Sequence, residues 1–271
     1  MPQRLLCLNA STIRPTPLLD KIRIAAQAGY GGIELWNNEL DAFIAAGGSL
    51  AQVRRALEDA GLAVPDLIAL HGWIDSPLEE YPKVLAEARR RMEQAAALGA
   101  PYIIASPPRG RVDLDRAAER YRELLAIGRE LGVKPSMEFL GFVEHIKTIR
   151  IAWYIVERAG DPDGTIVMDS FHIYNGGSTL DDLRAVPGAR ISMFHINDAP
   201  ATPPPGSLTD ADRVLPGDGV IDLPAMLRVL DEIGYTGPIS LELFNQTLWE
   251  QDPLVVARTG MERLTRLVGA M

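Results

Sequence analysis

Short apolar runs alternate with longer amphipathic ones along the whole chain. The strand-like runs fall at residues 4–9, 32–36, 64–70, 101–106, 134–139, 165–169, 190–196 and 238–244. The helix-like runs fall at about 17–28, 49–60, 78–98, 113–131, 144–159, 179–185, 222–233 and 253–270. Gly29, Gly61, Gly99, Gly132, Gly160 and Gly234 each follow a helical run, where a glycine relieves the left-handed backbone of a helix C-terminus. The strand runs read as continuous apolar stretches, as expected of parallel strands covered on both faces. Strict strand–helix alternation implies a parallel sheet with right-handed crossovers. Eight units over 271 residues give about 34 residues each, the size of a repeat in a closed barrel. An open doubly wound sheet also fits the alternation. However, no Gly-x-Gly-x-x-Gly follows the first strand, and no Gly-x-x-x-x-Gly-Lys-Ser/Thr occurs anywhere. The pattern predicts an α/β fold, a (β/α)8 TIM barrel, as a single domain over residues 1–271. Residues 197–219, with Pro200, Pro203, Pro204 and Pro205, form an irregular stretch after the seventh strand. A loop of that length in a compact domain is usually functional, here as a cover for the site, with a tolerated surface insertion as the alternative.

In barrels of this kind the chemistry sits at the C-terminal ends of the strands. Four successive strands there carry an ionisable residue inside an apolar run: Glu138, Asp169, His195 and Glu242. A carboxylate buried alone is costly or becomes protonated. Three carboxylates and a histidine in register would converge, and a divalent cation offsets their repulsion. Oxygen and imidazole donors without a thiolate suit Mn²⁺ best, with Mg²⁺ or Co²⁺ close behind and Zn²⁺ possible. Private salt bridges to Lys or Arg are the bland alternative for any one of these residues.

Other candidates surround this quartet. His172 follows Asp169 by three residues, and His71 ends the third strand. Both are candidate substrate contacts, with loop histidines bonded to backbone as the alternative. Glu34 lies within the second strand, either binding substrate, holding the quartet in place or making a salt bridge of its own. Trp36 and Trp73 either wall an apolar side of the pocket or pack in the core. Arg213 precedes the turn Pro216-Gly217-Asp218-Gly219 and could reach a substrate oxygen. His145 reads as an exposed residue at the start of the fifth helix.

Composition narrows the function. With 27 basic and 36 acidic residues the net charge is −9, which supplies no basic excess for a nucleic-acid groove. The run Arg89-Arg90-Arg91 reads as a solvated helix face. Cys7, the one cysteine, reads as a buried strand residue and allows no intrachain disulfide. No signal-peptide pattern opens the chain, and no stretch approaches the ~20 apolar residues of a membrane span. The expectation is a soluble, cytoplasmic protein without membrane or nucleic-acid partners. No oligomeric state is written in the pattern.

The motifs Met137-Glu138-Phe139-Leu140-Gly141, Met168-Asp169-Ser170-Phe171-His172 and Ser240-Leu241-Glu242-Leu243-Phe244 resemble the xylose-isomerase-like barrel superfamily of sugar isomerases and epimerases. The segment from Leu208 to Asp222, following His195-Ile196-Asn197-Asp198, resembles the inosose isomerase branch of inositol catabolism. The resemblance covers nearly the whole chain. It implies that Glu138, Asp169, His195 and Glu242 are metal ligands, that Glu138 and Glu242 move protons, and that His172 and Arg213 bind substrate. The expected chemistry is proton transfer beside the carbonyl of a polyol ketone or ketose, through an enediolate stabilised by the metal. Isomerisation, epimerisation and dehydration all branch from that species. An apurinic endonuclease of the same superfamily resembles a site with many more histidines than the four here. A non-catalytic polyol-binding barrel would not need two glutamate bases.

Overall fold

The computed structural model describes residues 4–269. Eight strands, β1 (Leu6–Asn9), β2 (Gly32–Trp36), β3 (Asp66–Leu70), β4 (Tyr102–Ala105), β5 (Lys134–Met137), β6 (Thr165–Asp169), β7 (Ile191–Ile196) and β8 (Ile239–Leu241), close into one barrel in chain order. Every neighbouring pair is parallel, including β1 with β8. The helices are α1 (Leu18–Gln27), α2 (Asn37–Ala45), α3 (Leu50–Ala60), α4 (Tyr81–Leu98), α5 (Leu114–Leu131), α6 (Ile149–Ala159), α7 (Ser170–Gly176), α8 (Leu180–Arg184), α9 (Leu223–Glu232), α10 (Gln246–Trp249) and α11 (Pro253–Gly269). The TIM barrel expected from the alternation is the fold observed. The six glycines assigned to helix ends all have positive φ, between 66° and 92°.

Three helices, α2, α7 and α10, were not expected. All sit in connections leaving the C-terminal ends of strands. Asp169 shows why α7 is hidden: it is both the last residue of β6 and the N-cap of α7, accepting from the His172 N–H at 2.9 Å. No polar spacer separates strand from helix. Conversely, α6 starts later than residue 144, because Thr148 caps it by accepting from the Ile151 N–H. His145 is therefore not on a helix. It is half-buried in the preceding loop, where Nδ1 accepts from the Val112 N–H. Ala270, the expected end of the last helix, lies outside the described residues.

The strands are less uniform than continuous apolar runs suggest. Ile33, Leu35, Leu67, Ile103, Met137, Met168, Phe194 and Leu241 belong to the large core between sheet and helices. A small second core of Ile68, Ala69, Ile104, Val167 and Met193, with Trp36 against it, fills the barrel interior. The strands thus alternate after all, and the inward positions are where polar residues concentrate. Ser136 and Ser192, for example, meet hydroxyl to hydroxyl at 2.5 Å.

Cys7 is fully buried. Arg89, Arg90 and Arg91 pair with Glu130, Asp41 and Glu87 on the helical exterior. Among the described residues no helix is long and apolar enough to cross a membrane.

Candidate active site

Strands β6, β7 and β8 bring Asp169, His195 and Glu242 together. Asp169 and His195 are register partners, and His195 pairs with Ser240, two residues before Glu242. One donor atom from each of the three lies within 4.8 Å of the other two. His195 Nδ1 is 3.2 Å from Glu242 Oε2 and 3.8 Å from Asp169 Oδ2. Despite that closeness it makes no hydrogen bond. Glu138, the fourth member of the expected quartet, stands apart from this cluster. Its Oε2 accepts from Ser106 Oγ at 2.6 Å. Burial, reinforced by the charge of Glu242, pushes the Glu138 carboxyl up to about 8.

Behind the cluster lies a layer that sequence reasoning found only in part. His195 Nε2 donates to Glu34 Oε2 at 2.8 Å. Glu34 is fully buried. Its bond to His195 accords with the reading in which it holds the cluster in place. Burial alone would raise the Glu34 carboxyl, but the charge and hydrogen bond of His195 outweigh it and hold it below its ordinary value. Burial opposes charge on His195 as well. The carboxylates of Glu242 and Glu34 override that and carry the imidazole well above its ordinary value. Asp66, also buried, lies with Glu34 and His195 in a second group of donor atoms within 4.8 Å of one another. Burial and the Glu34 charge push Asp66 well above the usual carboxylate range. Asn9 ties the two layers: its Nδ2 donates to Glu242 Oε1 at 3.0 Å and to Glu34 Oε1 at 3.3 Å, while its Oδ1 accepts from Trp36 Nε1. Asn9 was legible in principle, because it ends β1 as the acidic residues end theirs. Asp66 opens its strand, directly after Pro65, where an aspartate reads as a turn residue.

Residues 197–219 do not form an open lid. The segment folds over the barrel and delivers Arg213, 1% exposed, into the cluster. Arg213 Nη1 donates to Asp169 Oδ2 and Glu242 Oε2, each at 2.8 Å. Burial would raise the Asp169 carboxyl, but Arg213, His172 and His195 together hold it well below its ordinary value. Arg213 packs between the rings of Phe171 and Phe244 and is braced by Asp210. His172 is 3.0 Å from Arg213 Nη2, and its Nδ1 accepts from the Gly141 N–H. Burial lowers this imidazole to about 4, so it is neutral near pH 7.

Trp36 is half-buried at the mouth, edge-on to Phe244 at 5.9 Å. It also packs against both hydrophobic cores, so its position is compatible with either reading. Trp73 is fully buried, its indole N–H donating to Ser106 O, so it belongs to the core. His71 follows β3 but is exposed, and no hydrogen bond joins it to the cluster among the described residues. The expectation that it binds substrate gains no support from its position.

The donors fit a divalent cation: a buried, unpartnered imidazole nitrogen faces two carboxylates, while the other ring nitrogen is fixed by a carboxylate behind it. The family profile of the xylose isomerase-like TIM barrel matches residues 22–267. The chain belongs to this xylose isomerase-like TIM barrel family. Its relatives of known name include isomerases and dehydratases. Inosose isomerase of Bacillus velezensis is 30% identical over 271 residues, spanning 97% of this chain and 96% of that protein. A 1.8 Å crystal structure of the IolI protein with a bound zinc atom is similar at TM-score 0.92 and 27% identity, covering 100% of this chain and 99% of that one. A 3-dehydroshikimate dehydratase of Pseudomonas putida is 26% identical over 84% of this chain, though only 36% of that protein is matched. The zinc of one family member and the donor cluster of this one together support a divalent-metal site here.

Proposed function

We propose that this member of the family is a divalent-metal-dependent isomerase acting on a keto-inositol (inosose) or a related polyol ketone. Asp169, His195 and Glu242 would hold the ion, with Glu138 joining them, and Mn²⁺ is the ion proposed. The observation that carries this reading is His195 Nδ1, buried and without a hydrogen-bond partner between two carboxylates. A cation there would take the place of a proton on that nitrogen, while Glu34 would keep the other N–H in place.

When bound, the ion supplies a Lewis acid for the substrate's carbonyl oxygen. The remaining work falls to side chains. Strands β5 and β8 are separated by β6 and β7, so Glu138 and Glu242 approach the mouth from different sides. One takes the proton from the carbon that bears the hydroxyl. A proton returned to the former carbonyl carbon, with the hydroxyl proton passing to the former carbonyl oxygen, moves the carbonyl by one position. Arg213 and the neutral His172 are the proposed contacts for substrate oxygens, which would have to displace part of their present hydrogen bonds, and Trp36 would supply an apolar wall.

Incubation with Mn²⁺ and 2-keto-myo-inositol in D₂O tests the reading by NMR. The expected result is a displaced carbonyl with deuterium at the neighbouring carbon. Absence of both excludes inosose isomerisation. Loss of a β-hydroxyl as water would instead favour the dehydratase reading that the Pseudomonas putida relative suggests. Removal of metal with a chelator is expected to abolish turnover, and added Mn²⁺ to restore it. Glu34→Gln is expected to weaken Mn²⁺ binding about 10–100-fold in a calorimetric titration, because the imidazole loses the carboxylate that orients it.

A further inference from the structure

We infer that Asp198 is a positioning residue whose carboxylate grips the main chain of residues 199–221 and so seats Arg213 against Asp169 and Glu242. This inference rests on the functional reading above for its consequence, but its geometry stands independently. Asp198 lies two residues beyond β7, is 1% exposed and has no ion pair among the described residues. Its charge is met entirely by backbone. Oδ1 accepts from the Ala199 and Ile221 N–H groups, each at 2.9 Å. Oδ2 accepts from the Gly217 and Gly219 N–H groups at 3.0 and 3.1 Å. Both ends of the long segment are thereby tied to one side chain.

The same residue also fixes the arginine's immediate neighbour. The Asp198 N–H donates to Val214 O at 3.0 Å, and the Val214 N–H donates to Asp198 O at 2.9 Å. On the other side, Asn245 Nδ2 donates to Arg213 O. The chain is shaped to fit this carboxylate. A Cβ on Gly219 would come within 2.3 Å of both Asp198 Oδ1 and Ala199 O, and Gly217 has φ +88°. Asparagine cannot replace the aspartate here, because its amide NH₂ would face two N–H groups instead of accepting from them.

The consequence concerns the ion. The guanidinium so held shares one nitrogen between Asp169 Oδ2 and Glu242 Oε2, oxygens proposed to bind the cation. Its charge at that distance opposes a divalent ion, and the grip of Asp198 sets how firmly it does so.

Mn²⁺ titrations of the wild type, Arg213→Ala, Asp198→Asn and the double variant test this by calorimetry. Each single variant is expected to tighten Mn²⁺ binding about tenfold, and the double variant no further than either alone. An unchanged affinity in Asp198→Asn, or single effects that add in the double variant, would overturn the inference. Amide exchange of the wild type provides a second measurement that needs no variant to fold. The Gly217, Gly219 and Ile221 amides are expected to exchange far more slowly than free amides, and unprotected exchange there also overturns the inference. If the wild type binds no Mn²⁺, the metal reading fails while amide exchange still decides the grip.

Discussion

Glu138→Gln is expected to lower turnover about 10²–10⁴-fold and, at pH 8, to stabilise the metal-free protein. The loss of turnover follows from removing a proton carrier. The gain in stability follows from the environment that makes it one. The Glu138 carboxyl titrates at about 8 in the folded chain, against an ordinary 4.5, because it is buried and faces Glu242. A raised carboxyl pKa means that folding must take up a proton wherever the unfolded chain has already lost it. Stability therefore falls as pH rises from 4.5 toward 8. Glutamine carries no such cost. Its advantage is absent at pH 4 and grows to a few kcal/mol by pH 8, at about 1.4 kcal/mol per unit of pH as an upper limit. Urea unfolding with chelator at both pH values checks the stability arm. Equal stability of variant and wild type at pH 8 would mean that Glu138 is ionised in the folded chain, contrary to the role assigned to it.

His195→Ala is expected to have the opposite effect, costing roughly 3–5 kcal/mol at pH 6 and abolishing Mn²⁺ binding. The imidazole stands between Glu242 and Glu34, with Asp66 behind, all buried. Removing it leaves Glu34 without its cationic partner in a fully enclosed place. The pH dependence distinguishes this from simple loss of volume. His195 is raised well above its ordinary 6.5, so its contribution is fully present below pH 6.5 and disappears as pH rises through the higher folded value. The lowered Glu34 carboxyl reports the same pair from its other side and adds nothing further. The difference in unfolding free energy between variant and wild type is expected to be larger at pH 6 than at pH 9. A penalty of the same size at both would indicate a cavity effect alone.

Strand–helix alternation makes the barrel readable, and its central residues are readable because a charged residue inside an apolar strand is conspicuous. Asp169, His195 and Glu242 are found that way, and the structure brings them together. Glu138 is found by the same rule, yet it bonds to Ser106 and stays outside the tight cluster, a detail set by barrel stagger that no local pattern encodes. Asp66 escapes because it opens β3 instead of ending it. Helix α7 escapes because Asp169 serves strand and helix at once. The 197–219 segment is visible as irregular, but its shape is written in main-chain hydrogen bonds to Asp198, which side-chain periodicity does not register.

That last feature bears on how such a barrel can diversify. Asp198 recognises peptide N–H groups, which every residue but proline supplies, and only the glycines at 217 and 219 are dictated by its fit. Between Ala201 and Ser207, Gly206 is held by its own φ of +88° and by its N–H bond to Asn175 Oδ1, and Asp198 grips none of the other residues. Their side chains can therefore change without removing any N–H group that Asp198 holds.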